Sequence, residues 1–207
     1  MTKPIWQWSA VDTAAAIRKG DITAQEAVDA AINRMMEANE AVNAVTVDLS
    51  DSAKRAARRA DGVVQSGVAL GPLHGVPITI KENVDQAGQA TTNGVPAFAD
   101  MVAAEDSPVV ANLRKAGAII IGRTNTPEFS LRWFTDNPLR GLTKNPWDEG
   151  ITPGGSSGGA AAAAALGIGH IAHGNDLGGS LRYPAYACGL ATIRPSFGRV
   201  PAFNPTG

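Results

Sequence analysis

Cysteine, histidine, aromatic residues and net charge are all scarce in this chain, and each scarcity removes a class of function. The single cysteine, Cys188, excludes an internal disulfide. Its apolar setting, with no histidine placed to activate it, predicts a buried structural thiol. There are three histidines: His74 lies in a turn before a strand, and His170 and His173 stand three apart in a strand-like run that sends them to opposite faces. No cysteine or acid cluster completes a zinc set around them, so packed or hydrogen-bonded roles are expected and no metal. Charged residues make up 18% of the chain and the net charge is −1. No basic field therefore draws it to nucleic acid or anionic lipid, and a small molecule is the expected partner. The start, Met1-Thr2-Lys3-Pro4-Ile5-Trp6, has no apolar signal core, and the run Ala160 to Ala165 is too short to span a bilayer. No membrane partner is expected, and the chain is assigned to a reducing cytoplasm.

Glycine is what the chain has in quantity, 23 residues against 5% aromatics, which fits an α/β protein rich in tight turns. Ser9 with Asp12 and Thr23 with Glu26 have the form of capping boxes, each opening a helix, the first ending near Gly20. Ala44 to Val47 alternates like a strand, and Ala53, Ala56, Ala57, Ala60, Val63 and Val64 mark a third amphipathic helix. From Gly71 strands alternate with helices. Val76 to Ile80 reads as a strand, Ser107-Pro108 as a helix start running to Gly117, and Ala118 to Ile121 as a strand buried on both faces. Thr126-Pro127 repeats the helix-start signal. Ala160 to Leu166 reads as a buried helix, Ile168 to His173 as a strand, and Ser180 to Tyr186 as a helix start. The pattern predicts a mixed, largely parallel sheet covered by helices, divided into a helical segment 1–70 and an α/β core 71–207, with sites at the carboxyl ends of strands. The loop-like ending Pro201 to Gly207 leaves that sheet unfinished, as if the chain were the N-terminal portion of something longer.

Candidate chemistry gathers in two glycine-framed serine segments, Gly154-Gly155-Ser156-Ser157-Gly158-Gly159 and Gly174-Asn175-Asp176-Leu177-Gly178-Gly179-Ser180, with Lys81 upstream at the end of an apolar strand. Glycines beside a serine let backbone N–H groups approach a reacting carbonyl without a Cβ in the way. Gly154 to Gly158 matches G-x-S-x-G, but no strand precedes it and no acid and then histidine follow in order, which argues against a nucleophile elbow. Neither segment ends in Gly-Lys-Ser/Thr, which argues against a phosphate-cradling loop, and no cofactor is expected. An isolated Gly/Ser stretch is most often a flexible loop, and a lysine at a strand end is usually solvated. The combination differs, because a Ser-Lys mechanism needs no histidine.

Taken together, these segments resemble the amidase signature family of amidohydrolases. The matching blocks run in order from Gly71 to Lys81, through Gly122-Arg123-Thr124-Asn125 and Asn145-Pro146-Trp147, to both serine segments and Arg194 to Pro201. They cover roughly the last two thirds of the chain. The resemblance implies the amidase signature fold, of which only the N-terminal portion is expected here, with a missing C-terminal half as partner; association of like chains is left open. It implies a Ser-cisSer-Lys triad with Ser180 as nucleophile, Ser156 as the bridging serine on a cis peptide and Lys81 as base. The amides of Leu177, Gly178, Gly179 and Ser180 match the oxyanion hole, and Ser157, Asp176 and Arg182 occupy supporting positions. Asn175, Glu82, Ala160 and Arg194 depart from the residues usual in the family, away from the triad.

At an ordinary lysine pKa of about 10.4, roughly one molecule in 2,500 is neutral at pH 7. Lowering it to about 7 corresponds to roughly 4.6 kcal/mol of destabilised ammonium, which an apolar strand end can supply. The expected activity is hydrolysis of a carboxamide, or an ester, through an acyl-enzyme. The alternatives are a glutamine-amidase subunit of a tRNA-dependent amidotransferase and a binding relative that has lost catalysis.

Overall fold

In the computed structural model, which describes residues 3–206, the first helices begin where a side chain caps them. Ser9 Oγ accepts the Asp12 amide at 3.0 Å at the start of α1, Ala10–Lys19, which ends on Gly20 in the left-handed region. Thr23 and Glu26 form a reciprocal capping box that opens α2, Ala24–Val42. Its buried face, Ala27, Val28, Ala31, Ile32 and Met35, follows helical spacing. The helix α3, Ser50–Gln65, turns Ala53 and Ala57 inward and keeps Arg55, Arg58 and Arg59 in solvent.

The sheet holds β1 (Val45–Asp48), β2 (Pro77–Lys81), β3 (Ile119–Thr124) and β4 (Ile171–Ala172) in the order β1-β3-β2-β4. β2 runs parallel to both β3 and β4, and β1 is antiparallel to β3. This is the mixed, largely parallel sheet covered by helices that the alternation of elements predicts. Every residue of β2 and β3 is buried, as expected of strands covered on both faces. Ile78, Ile80 and Ile120 pack with Val76 and Val110 of α4 (Pro108–Lys115) on one side. Ile119 and Ile121 pack on the other with α2 and with Ala162 and Ala163 of α5, Gly158–Ala165. Lys81 has the parity of Thr79, opposite to Ile78 and Ile80.

Three local expectations are corrected. Thr126-Pro127 opens no α-helix, only a 3-10 turn at Glu128–Ser130 in which Phe129 and Ser130 have φ of 52° and 57°. The Phe129 amide donates to the Asn93 carbonyl at 2.9 Å, and Asn137 Nδ2 donates to the Thr126 carbonyl at 2.7 Å and to Asn125 Oδ1 at 2.8 Å, so this backbone is tied to neighbouring loops where a helix would continue. The strand Ile168 to His173 shrinks to Ile171–Ala172, because Gly167 and Gly169 preceding it have φ of 75° and 77°. The last helix, α6, spans Arg182–Cys188, leaving Ser180 in the turn before it. Among the described residues no helix is long and apolar enough to cross a membrane.

Candidate active site

The exit of β2 delivers Lys81 into the interior with no solvent exposure. Its Nζ donates to Ser156 Oγ at 2.6 Å and to Asn175 Oδ1 at 2.8 Å. Burial pulls the Lys81 pKa down to about 7, against an opposing pull from the Asp176 charge. Ser156 is itself buried and follows a cis peptide bond, Gly155-Ser156. Gly155 is there for closeness: a Cβ on it would stand 2.6 Å from the Arg132 carbonyl oxygen and 2.7 Å from the Phe134 nitrogen. The first serine segment is thus clamped between β2 and the 132–134 loop just ahead of α5.

Ser157 stitches that segment to the second one. Its N–H donates to the Ser180 carbonyl at 3.2 Å, and its hydroxyl donates to the Asn175 carbonyl at 3.2 Å. Asp176 organises the turn that follows, accepting the amides of Gly179 at 2.8 Å and Leu181 at 3.0 Å together with a two-pronged contact from Arg182. The Arg182 hydrogen bonds, first, and those amides hold the Asp176 carboxyl far below the usual carboxylate range. Of the four amides expected as oxyanion donors, the Gly179 N–H is therefore engaged, whereas those of Leu177, Gly178 and Ser180 donate to no acceptor among the described residues. Leu177 is 92% exposed and Ser180 8%. No hydrogen bond joins the Ser180 hydroxyl to Ser156 among the described residues; the two serine segments meet through Ser157.

A composite of two loops and a strand exit, with these residues in this order, points to one family, and the Amidase family model matches residues 26–205. The chain belongs to the amidase signature family. It is 65% identical, over 97% of its length, to an indoleacetamide hydrolase from Bradyrhizobium diazoefficiens, and 40% identical, also over 97%, to an acylamidase from Rhodococcus erythropolis. The crystal structure of a bacterial aryl acylamidase of the amidase signature family superposes with a TM-score of 0.84 at 32% identity, covering 88% of this chain and 38% of that one. The chain spans 38% and 42% of the two curated relatives.

Several residues around this candidate site were not singled out by the sequence for a role. Asn83, two residues beyond Lys81, accepts from Asn175 Nδ2 at 3.1 Å and donates to Ser130 Oγ at 2.9 Å. Asparagines near a strand exit carry no periodic signal, and only the departure at Asn175 hinted at a local difference. Trp133 and Tyr183 lie side by side with ring centroids 6.4 Å apart and their planes tilted by 59°. Trp133 rides on the loop that clamps Gly155, and the Tyr183 amide donates to the Gly179 carbonyl at 2.8 Å, so each ring is anchored beside one serine segment.

The histidines need a correction. Because β4 is only two residues long, His170 and His173 do not alternate across a strand; both line one groove of about 650 Å³ beside α5. Burial, helped by the Lys81 charge, lowers the His173 pKa to about 4. His170 Nε2 lies 3.2 Å from Thr13 Oγ1, a hydrogen-bonded role as expected. Cys188 is a buried thiol whose pKa burial pushes up to about 11.

Proposed function

We propose that the protein carrying this sequence hydrolyses the carboxamide bond of a small aromatic acetamide through Ser180, Ser156 and Lys81. The observation that carries this reading is the fully buried Lys81, with its pKa near 7, hydrogen-bonded at 2.6 Å to Ser156 Oγ of a glycine-framed segment. Neutral Lys81 takes the proton of Ser156 as Ser156 takes that of Ser180, whose Oγ bonds to the amide carbon. The carbonyl oxygen becomes an oxyanion in the loop Leu177-Gly178-Gly179-Ser180. Asp176 sets the curvature through Gly179, leaving the amides of Leu177, Gly178 and Ser180 to donate. The relay then runs back, the C–N bond breaks as the nitrogen is protonated, and ammonia leaves. Water enters by the same route, cleaves the acyl-enzyme and restores Ser180 with release of the carboxylate. Ser157, Asp176 and Arg182 hold the loops in register.

The substrate class rests on two supports. Relatives are named for indoleacetamide and acylamide hydrolysis, and two exposed aromatic rings, Trp133 and Tyr183, stand on the elements next to the two serine segments, where an aromatic acyl group could meet them. The reading assigns the far wall of the acyl pocket to sequence such as the relatives carry beyond the matched stretch. It places the reaction in the cytoplasm, consistent with the free, buried Cys188.

The test is labelling and turnover together. A fluorophosphonate should mark Ser180 in the protein and fail to mark Ser180→Ala. Indoleacetamide should release ammonia faster than glutamine at equal concentration. Labelling that survives Ser180→Ala overturns the nucleophile, and a preference for glutamine overturns the substrate class in favour of an amidotransferase subunit.

A further inference from the structure

We propose that Asn175 is a positioning residue for Lys81, its side-chain oxygen anchoring Nζ beside Ser156 Oγ while adding no charge to the site. The inference rests on Lys81 being the base of the relay. A neutral amine has two N–H groups and one lone pair. To accept a proton from Ser156 it must turn the lone pair toward that hydroxyl, so an N–H has to be held elsewhere. Asn175 Oδ1, 2.8 Å from Nζ, is the acceptor in place, 94 residues away along the chain.

The acceptor is itself oriented. Asn175 Nδ2 donates to Asn83 Oδ1 at 3.1 Å, which turns its oxygen rather than its nitrogen to the lysine. Asn83 Nδ2 is held in turn by Ser130 Oγ at 2.9 Å, and Ser130 Oγ lies 2.8 Å from Thr126 Oγ1. The Asn175 main chain is pinned at both polar atoms by Ser157 Oγ, at 3.2 and 3.4 Å. One residue therefore links the proposed base, the neighbour of the bridging serine and the loop that leads to Ser180.

Charge explains why an amide suits the place. The ionisable groups facing Lys81 are Asp176, whose charge favours the ammonium, and His173, half-buried and, with its pKa near 4, neutral at pH 7. Glu82, next along the chain, spends its carboxylate on Thr46, Thr92 and Arg140 instead. A carboxylate at position 175 would add a negative charge at hydrogen-bond distance, stabilise the ammonium and withhold the lone pair from Ser156 until higher pH. Serine or threonine would place an acceptor on a shorter arm and leave Asn83 Oδ1 without the donor that Asn175 Nδ2 supplies.

The experiment measures kcat against pH for indoleacetamide, and titrates the Lys81 13Cε resonance, in the parent protein, Asn175→Asp and Asn175→Ser. The resonance is assigned by its loss in Lys81→Ala. In Asn175→Asp both the acid limb of kcat and the Lys81 titration should move up by about 1–3 pH units. In Asn175→Ser kcat should fall about tenfold with KM within about twofold, and this arm decides the matter if the aspartate variant does not fold. An unmoved Lys81 titration in Asn175→Asp, or parental kcat in Asn175→Ser, overturns the inference. Parental activity in Lys81→Ala is a different failure: it removes the base itself, while the 13Cε titration still reports whether Asn175 controls that lysine.

Discussion

Lys81 is held in the fold in a form that water would not favour, and this has a consequence for stability as well as for chemistry. Its folded pKa of about 7 lies below the ordinary 10.5 because burial penalises the ammonium. Between those two values the unfolded chain binds the proton and the folded chain does not, so stability contributed by this group rises with pH across that window and is flat below it. Replacing the lysine by methionine removes the buried charge at the expense of its hydrogen bonds to Ser156 and Asn175. At pH 6, Lys81→Met is expected to be more stable than the parent by on the order of 2–4 kcal/mol, with the gap closing toward pH 10. The proposed amidase activity should fall by about 100-fold or more. Urea melts at both pH values check the first statement, and a gap that does not change with pH would contradict it. The glycine framing made Lys81 and the serines conspicuous in the sequence. Their partners were not, because Asn175 and Asn83 act through contacts more than 90 residues apart.

At the scale of elements, the sequence was most legible where a structure is decided locally. The Thr23 and Glu26 capping box, the alternating apolar positions of β2 and the continuous apolar run of β3 are satisfied within a few residues, and the helices and strands they announce are present. It was least legible where a distant group intervenes, as after Thr126-Pro127, where the Phe129 amide donates to the Asn93 carbonyl and Phe129 and Ser130 turn to positive φ instead of continuing a helix. The start of α5 is decided at long range too. A Cβ on Gly159 would lie 2.5 Å from the Asn125 nitrogen and 2.8 Å from the Ala44 carbonyl oxygen, both main-chain atoms that cannot swing aside. Gly159→Ala should therefore cost about 1–3 kcal/mol and reduce activity, since α5 carries the first serine segment at its N-terminus. Gly62 in α3 has nothing within 4 Å of a built Cβ. Gly62→Ala should stabilise the protein by about 0.5–1 kcal/mol and leave turnover unchanged. Urea midpoints of the pair provide the check: opposite shifts are expected, and equal shifts would mean that close main-chain approach does not distinguish the two positions.

For the molecule as a whole, the question is whether residues 1–70 and 71–207 behave as two parts, and a buried charge cluster argues that they unfold together. Glu82 at the end of β2 is fully buried and accepts hydrogen bonds from Thr46 of β1, from Thr92 and from both Nε and Nη2 of Arg140. Arg123 of β3, equally buried, donates to the Glu82 and Val84 carbonyls and to that of Ala90. Asn43, at the end of α2, reaches the Arg140 carbonyl at 2.8 Å. None of this was visible in the sequence, where these residues lie tens of positions apart without a pattern, yet it joins the N-terminal segment, the sheet and the 140 loop. Breaking one partner of such a cluster leaves the others buried and uncompensated, so Glu82→Gln should cost about 3–5 kcal/mol. The loss should appear equally at both ends of the molecule. Trp6 stacks under Arg34 in the N-terminal segment, and Trp147 donates to the Cys188 carbonyl beside α6. Variants retaining only Trp6 or only Trp147 should report one coincident urea transition, and Glu82→Gln should move both midpoints by the same amount without changing the slope. Two separated transitions, or a shift confined to the Trp147 reporter, would mean that the N-terminal segment is an independent unit and that the cluster does not bind it to the sheet.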